Sequence, residues 1–409
     1  MKLIGKLRAH LGLGTHLIAL TAVFAGIETT QAAPPRVRAL AGSEWVWPWE
    51  GSEGLWPSGI AFDVKVVGRH AYVAGGQGGL VVIDVSDPAN CVPVGALHST
   101  DTAFGVAVAG DFAYMAMNGF QVVNVSNPSN CVLVGHYFEA VDIRDVVVSG
   151  NRAYLAEADH DLMVWDVSDP TNCVYLGSAH SAVPNGLGVG VAVSGHFAYV
   201  AQAWGGLHVY DVSDPANVVR VGGYGGSEGY EYVAYRVAVS GNYAYVANGY
   251  SGLRVIDVSN PTNCALVGSY DTSGVAVGIT VSGNHVYMAD YDGGLEIIDV
   301  SNPTLPVCAG GTDTRGLAFG VAVADDRIYV ADARAGLLVL PAVRDFQFTL
   351  RVEAETNQPF TLEAATDLSG AGNWSPLVTT NVPAMPFDFV DFDVRIAEKP
   401  RKFYRVRQP

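Results

Sequence analysis

Gly252 to Tyr270 reads GLRVIDVSNPTNCALVGSY. The run recurs from Gly79 as GLVVIDVSDPANCVPVGAL, from Gly119 as GFQVVNVSNPSNCVLVGHY and from Asp161 as DLMVWDVSDPTNCVYLGSA. It returns from Gly206 as GLHVYDVSDPANVVRVGGY and, degraded, from Gly294 as GLEIIDVSNPTLPVCAGGT. Each copy reads as strand, turn, strand. Leu253 to Val258 is apolar and β-branched, with Arg254 as its polar interruption. Ser259-Asn260-Pro261-Thr262-Asn263 then forces a reversal, because proline fixes φ and donates no hydrogen bond while Asn bonds back to nearby backbone. Ala265 starts the next strand.

A second signature lies between these copies. It begins at Val64, Val106, Val146, Val191, Val237, Ile279 and Val321, with spacings of 42, 40, 45, 46, 42 and 42 residues. VAVSGNYAYVAN from Val237 is typical: a short strand, a tight Gly turn, and a second strand carrying a tyrosine. The tyrosines are Tyr72, Tyr114, Tyr154, Tyr199, Tyr245, Tyr287 and Tyr329. Two hairpins per period make a four-stranded antiparallel sheet of propeller-blade size. The strands are apolar on both faces, which suits a sheet held between neighbours. The expected fold is therefore all-β, a seven-bladed β-propeller, with an open solenoid of the same period as the alternative. The seventh unit stops near Leu340 without a turn or outer strand. Val37 to Glu44 resembles the outer strand Val219–Tyr224 and its sequel. It is expected to complete the last blade beside Leu337–Leu340 and so leave no long open sheet edge.

The runs Leu80-Val81-Val82-Ile83-Asp84-Val85-Ser86 and Leu253-Arg254-Val255-Ile256-Asp257-Val258-Ser259 resemble the LVIVD-repeat family, secreted or surface β-propellers of bacteria and archaea. The resemblance spans residues 37–340. Asn124 departs from the pattern where other copies have Asp, and Leu340-Pro341 stands where the seventh would read Asp-Val. What the resemblance implies is fold and location; it carries over no catalytic residue.

The ends of the chain read differently. Residues 1–33 look like a secretory signal, with Lys2, Lys6 and Arg8, an apolar run from Leu17 to Ile27, and small residues at Thr30 and Ala32. A retained membrane anchor is the alternative reading; the apolar run is short for a span. The net charge is −17, and −19 once Lys2, Lys6, Arg8 and Glu28 are removed. That disfavours nucleic acid and anionic membrane as partners. From Val343 the repeat ends and five β-like segments follow, so 34–342 is read as the propeller and 343–409 as a small β-sandwich-like module. Thr361 to Leu368, Asn373-Trp374 and Lys402 to Val406 resemble a C-terminal module of exported verrucomicrobial and planctomycete proteins. The whole is expected to be secreted, periplasmic or at the cell surface, monomeric, and without an integral membrane segment after cleavage.

Cys91, Cys131, Cys173 and Cys264 occupy one repeat position, and Cys308 makes an odd total of five. Equivalent positions on adjacent blades lie too far apart for a disulfide. Buried structural thiols are expected.

In an antiparallel blade the Asn-Pro and Asp-Pro turns share one face with the Gly turns. The opposite face holds the longer and more varied connections, where function is expected. Aromatic residues and acids gather there. Trp45, Trp47, Trp49 and Trp56 lie before the first blade, with Trp204, Tyr230 and Tyr232 in other connections. Large flat side chains beside carboxylates suit a sugar or a peptide. Equally, the tryptophans of the first crossover suit a plug over the channel. At the start of the innermost strand four units have glycine, and the others have Asp63, Asp145 and Arg236. These three make either a polar ligand site or an internal ion pair. No cofactor is expected. Calcium is the one weak candidate, at the acid runs Asp159, Asp161 and Asp290, Asp292. No catalytic motif is present. The first reading is a non-catalytic scaffold that binds a protein or glycan. The alternative is a polysaccharide hydrolase or lyase at the channel mouth, using Asp63, Asp145 and Arg236.

Overall fold

The two recurring signatures fold as they read. In the computed structural model, Asp63–Val67, His70–Ala74, Leu80–Asp84 and Val92–Leu97 form one antiparallel four-stranded sheet in chain order. We call these the inner, second, third and outer strands of a repeat. The structure describes residues 59–341 apart from 181–186 and 226–232, with backbone alone at 138–141 and in seven short strands outside that range. The sheets starting at Gly188, Arg236 and Gly278 have the same order.

Alternate side chains of each strand point to opposite faces, and both faces are covered. Ala71, Val73, Val81 and Ile83 of the first sheet pack with Tyr329, Ala331, Leu337 and Val339 of the last. The intervening Tyr72, Ala74, Leu80 and Val82 pack with Val106, Ala113, Met115 and Val123 of the next. The cysteine position is explained by the same packing. Cys173 joins the cluster of Tyr114, Cys131 that of Tyr72, Cys264 that of Tyr199, and Cys91 that of Tyr329. Val218, in the cysteine position of the fourth copy, joins Tyr154 in the same way. In five of the seven repeats the tyrosine thus meets the next repeat's small hydrophobe. All five thiols are free, and burial pushes the Cys91 thiol up to about 11. Cys308 departs from the expectation: it is exposed. It lies in the degraded copy, outside the common position.

Successive repeats are further joined by isolated backbone bridges, Gly76 to Ala103, Ala203 to Ala234, Gly249 to Ala276 and Tyr291 to Ala318. A bridge of the same kind joins Ala61 in the first repeat to Ala333 in the last, with Ala61 N–H donating to the Ala333 carbonyl at 3.1 Å.

Two features differ from the sequence expectation. The second and third repeats share one six-stranded sheet, because Val132–Ser149 runs without a break from the outer strand of one to the inner strand of the other. That connection, Phe138-Glu139-Ala140-Val141-Asp142-Ile143, holds no Gly or Pro to turn the chain. The strand added to the last sheet is Trp45–Val46, opposite Val339 and Leu338. The 37–44 segment proposed from its resemblance to 219–228 lies outside the described residues, and the pairing falls just beyond it.

The chain divides into two compact units, 41–342 and a second of 1–40 with 343–409. The second holds two three-stranded antiparallel sheets. One has Phe348–Val352 between Arg8–Ala9 and Phe387–Asp391, the other Pro359–Ala365 between Ser375–Asn381 and Phe403–Arg407. No helix among the described residues is long and apolar enough to cross a membrane.

The glycine that ends each apolar run has a packing reason. A Cβ on Gly95, Gly177, Gly222 or Gly268 would overlap the carbonyl oxygen of Pro128, Pro215, Pro261 or Pro303 in the next repeat's turn. Gly222→Ala is therefore expected to cost about 1–3 kcal/mol of stability, measured as a lowered urea midpoint with the folded spectrum retained.

Candidate functional site

At one register position, opposite an alanine of the second strand, the innermost strands carry in order Asp63, Gly105, Asp145, Gly190, Arg236, Gly278 and Gly320. The structure brings the three polar residues together, although they lie on three different sheets. The Arg236 guanidinium hydrogen-bonds Asp145 Oδ1 and stands 3.8 Å from Asp63 Oδ2. A second nitrogen donates to the Phe104 carbonyl at 3.5 Å. The glycines make the room. A Cβ on Gly190 would lie 2.8 Å from Arg236 Cα, one on Gly320 2.9 Å from Asp63 Cα, and one on Gly105 3.2 Å from Asp145 Cα.

Both carboxylates are committed to the fold. Asp63 Oδ2 accepts from Val106 N–H at 3.2 Å and Asp145 Oδ2 from Val191 N–H at 2.9 Å, each reaching the next repeat's inner strand. Asp145 Oδ1 also accepts from Val146 N–H at 2.9 Å, and Lys65 stands 3.4 Å from Asp63 Oδ1. Asp63 and Asp145 are 3% and 4% exposed, so the cluster is an internal ion network. Burial raises the Asp145 carboxyl, opposed by Arg236. Burial also works against the Arg236 charge, but Asp145 and Asp63 outweigh it and its pKa rises. The guanidinium therefore stays charged.

One residue before these positions sits a set of aromatic side chains that the sequence reading passed over: Phe62, Phe104, Tyr235 and Phe319. Their backbone N–H groups donate to the carbonyls of Ala74, Ala116, Ala247 and Ala331 at 2.8–2.9 Å, so each is fixed to its own second strand. Phe62 lies 5.0 Å from Phe319 and 5.5 Å from Phe104, ring centre to ring centre, and Tyr291 lies 5.4 Å from Phe319. Arg144, at the same position in the third repeat, covers the Phe104 ring at 4.4 Å and pairs with Asp142 at 2.5 Å. The result is a half-buried aromatic arc beside a neutralised ion network. The signal for it was the aromatic immediately before Asp63, Gly105, Arg236 and Gly320.

Of the other candidates, Trp204 is 38% exposed, on the same loop face, in the turn before Gly206–Asp211. Trp45 is placed in the added strand of the last sheet and not in a loop. Trp47, Trp49, Trp56, Tyr230 and Tyr232 lie outside the described residues. The proposed calcium acids do not converge. Asp161 is buried and accepts from Gln202 Nε2 at 2.6 Å and Tyr210 Oη at 2.9 Å. Asp290 accepts from Thr272 Oγ1 and Gly274 N–H, both at 2.6 Å. Asp159 and Asp292 are exposed. Burial, with Glu296 adding to it, raises the Asp290 carboxyl to about 6. Among the described residues no group of three or more His, Cys, Asp or Glu is gathered as a metal site.

This geometry sits on a fold shared with known proteins. The LVIVD repeat matches residues 58–97, 102–138, 142–180, 186–225, 233–272 and 273–314. The chain belongs to the LVIVD-repeat family. No curated protein matches at a significant level. Among solved structures, a chain of the Mitotic Checkpoint Complex is 11% identical, with a TM-score of 0.59 over 81% of this chain and 100% of that one. The RRP9 WD40 repeats are 10% identical, with a TM-score of 0.56 over 74% of this chain and 98% of that one. The computationally designed Ika8 protein is 12% identical, with a TM-score of 0.50 over 69% and 83%. At these identities the likeness is one of fold, and the fold is a β-propeller. For this LVIVD-repeat protein the family match supplies architecture, and the site must be argued from its own residues.

Two outcomes follow from the buried polar groups. Arg236→Met leaves buried Asp145 without its cation, while Asp63 keeps Lys65, and is expected to cost about 3–5 kcal/mol. Asp145→Asn added to it should recover part of that loss in urea unfolding, because the two changes remove one pair. His208 is 1% exposed, 3.4 Å from Tyr210 Oη, and burial holds its imidazole down at about 4. The unfolded chain therefore takes up that proton first as pH falls. The contribution of His208 is full above about 6.5 and drains toward pH 4, by roughly 3 kcal/mol in all. Urea unfolding of wild type and His208→Gln should show wild type losing that margin relative to the variant over this window.

Proposed function

We propose that the protein is an exported, non-catalytic interaction scaffold that docks a protein or glycan on the aromatic arc of a closed seven-bladed propeller. The observation that carries the reading is the committed state of the axis cluster beside half-buried aromatic side chains that take no part in that network. Asp63, Asp145 and Arg236 converge, as a catalytic centre would. Yet each of the four carboxylate oxygens already has a cation or a backbone N–H. A polysaccharide hydrolase or lyase needs a carboxyl free to exchange a proton beside the substrate, and these two are spent on joining repeats. Phe62, Phe104, Phe319 and Tyr235 are half-buried and held rigid from behind, which suits docking at low entropic cost.

Closure of the ring is supported by the packing of the first sheet on the last and by the Ala61–Ala333 bridge. Seven blades follow from the seven inner-strand signatures, with the second and third sharing a continuous sheet. Charge points the same way on ligand class. Around the arc Arg144 pairs with Asp142, and Arg236 and Lys65 with Asp145 and Asp63, so these described charges balance one another. That favours a neutral ligand over a polyanion. Export follows from the leader-like first 33 residues and agrees with what the family resemblance implies, and the module from 343 serves attachment.

The test is a glycan array and a peptide array probed with the mature chain, residues 34–409. A saturable hit whose affinity falls at least about tenfold in Phe104→Ala, while Leu305→Ala in an opposite-face turn leaves it unchanged, supports the reading. Failure to bind on either array, or a hit indifferent to Phe104 and Trp204, removes it.

A further inference from the structure

The third repeat breaks a turn rule that five of the other six keep. Between second and third strands, five repeats close with a left-handed glycine: Gly79, Gly206, Gly252, Gly294 and Gly336, at φ between 65° and 85°. The third repeat has Asp161 there, at φ 57°. A non-glycine residue pays for this conformation, and the hydrogen bonds from Gln202 and Tyr210 hold it in place. The turn so formed, Glu157-Ala158-Asp159-His160-Asp161, presents His160 beside His180. His180 follows the outer strand Val174–Ala179, whose last residue pairs with Asp161 and Leu162. The two imidazole rings are 4.3 Å apart, centre to centre, and inclined at 42°.

Each ring is oriented from behind by an acceptor. Glu157 Oε2 lies 2.8 Å from His160 Nδ1 and also accepts the His160 backbone N–H at 2.6 Å. The Asp159 carbonyl lies 3.0 Å from His180 Nδ1. A carbonyl only accepts, so His180 Nδ1 carries the proton and Nε2 holds the lone pair. The carboxylate sets the same tautomer on His160. A carboxylate and a backbone carbonyl behind Nδ1 are the usual partners of a metal-bound histidine. A third observation points to a cation. Glu157 is fully buried, and its Oε1 has no hydrogen-bond partner among the described residues. A buried carboxylate satisfied on one oxygen is costly without positive charge close by.

We propose that His160 and His180 bind a transition-metal ion through their Nε2 atoms. Two imidazoles meeting at about 90° around one ion, with bonds of about 2.1 Å, have ring centres roughly 4.5 Å apart. The observed separation fits that cis arrangement and is short for a tetrahedral one. Copper(II) and nickel(II), which accept cis nitrogens in tetragonal geometry, are favoured over zinc. Glu157 acts as a positioning residue, through His160. Among the described residues no third His, Cys, Asp or Glu joins them as a metal group, and the remaining coordination positions are assigned to water or to a donor from a bound molecule.

The experiment titrates the metal-free mature chain, residues 34–409, with copper(II) at neutral pH. Calorimetry gives stoichiometry, and electron paramagnetic resonance gives the nitrogen count. One ion per chain with hyperfine coupling to two imidazole nitrogens is expected, falling to one nitrogen and at least about tenfold weaker binding in His180→Ala. Glu157→Gln should weaken binding by about 10- to 100-fold with both nitrogens still coordinated. His180 is exposed, so its loss leaves the fold intact. His98→Ala, elsewhere on the surface, should change nothing. Absence of saturable binding, or a copper signal that survives loss of both His160 and His180, overturns the proposal.

Discussion

Every repeat sheet among the described residues has two apolar faces and nothing of its own to cover them. The second and third strands of a repeat are buried along almost their whole length, while the outer strand is mostly half-buried, with its first residues exposed. A single repeat would leave both faces in water, so the neighbours are a condition of its folding. The contacts that meet this condition are local and alike. Tyrosine meets the next repeat's cysteine or valine. The outer-strand glycine lets the next repeat's proline turn approach. One backbone bridge ties the loop face. Because these contacts repeat, the stability of the array is shared among interfaces rather than stored in one core.

That sharing explains what could be read from the sequence. A pattern written six or seven times reports strands, turns and burial with little ambiguity. The strand order, the tyrosine positions and the shared site of four cysteines were all legible. Asn124, read as a departure from the pattern, proves equivalent to Asp in the structure: its side-chain oxygen accepts the Ser126 N–H at 3.0 Å as Asp84 accepts that of Ser86 at 2.9 Å. Legibility failed where the pattern says nothing. The join of the second and third sheets depends on a connection with no turn residue. The register of the added N-terminal strand depends on a segment that matches the repeat only loosely.

The site was legible in part. Asp63, Asp145 and Arg236 stood out because they replace glycine, and their meeting follows from a shared position near one axis. What the sequence could not say is that backbone donors of the neighbouring strands would consume the carboxylates. Hydrogen bonding across repeats links residues 43 and 46 positions apart, and no local pattern records it. The aromatic arc was hidden for the opposite reason. Phe62, Phe104 and Phe319 look like ordinary strand residues, and only their adjacency to the axis gives them a surface in common.

The two faces of the propeller carry different departures from the repeat. On the proline-turn face a change such as Asn124 keeps the acceptor and the turn. On the loop face the substitutions change chemistry outright: acids and an arginine for glycine at the axis, and Asp161 for a left-handed glycine in the third repeat. Each is costly by itself, through desolvation in the first case and backbone strain in the second. Each is held by partners drawn from another repeat, Val106 and Val191 for the axis acids, Gln202 and Tyr210 for Asp161. A fold that needs only repetition would have no use for such exceptions. The proline-turn face has one such exception, Asp325 at φ 46° where the other repeats turn on glycine; on the loop face the exceptions meet one another, beside the aromatic arc and the paired histidines, and it is this gathering that sets the loop face apart from the repeat.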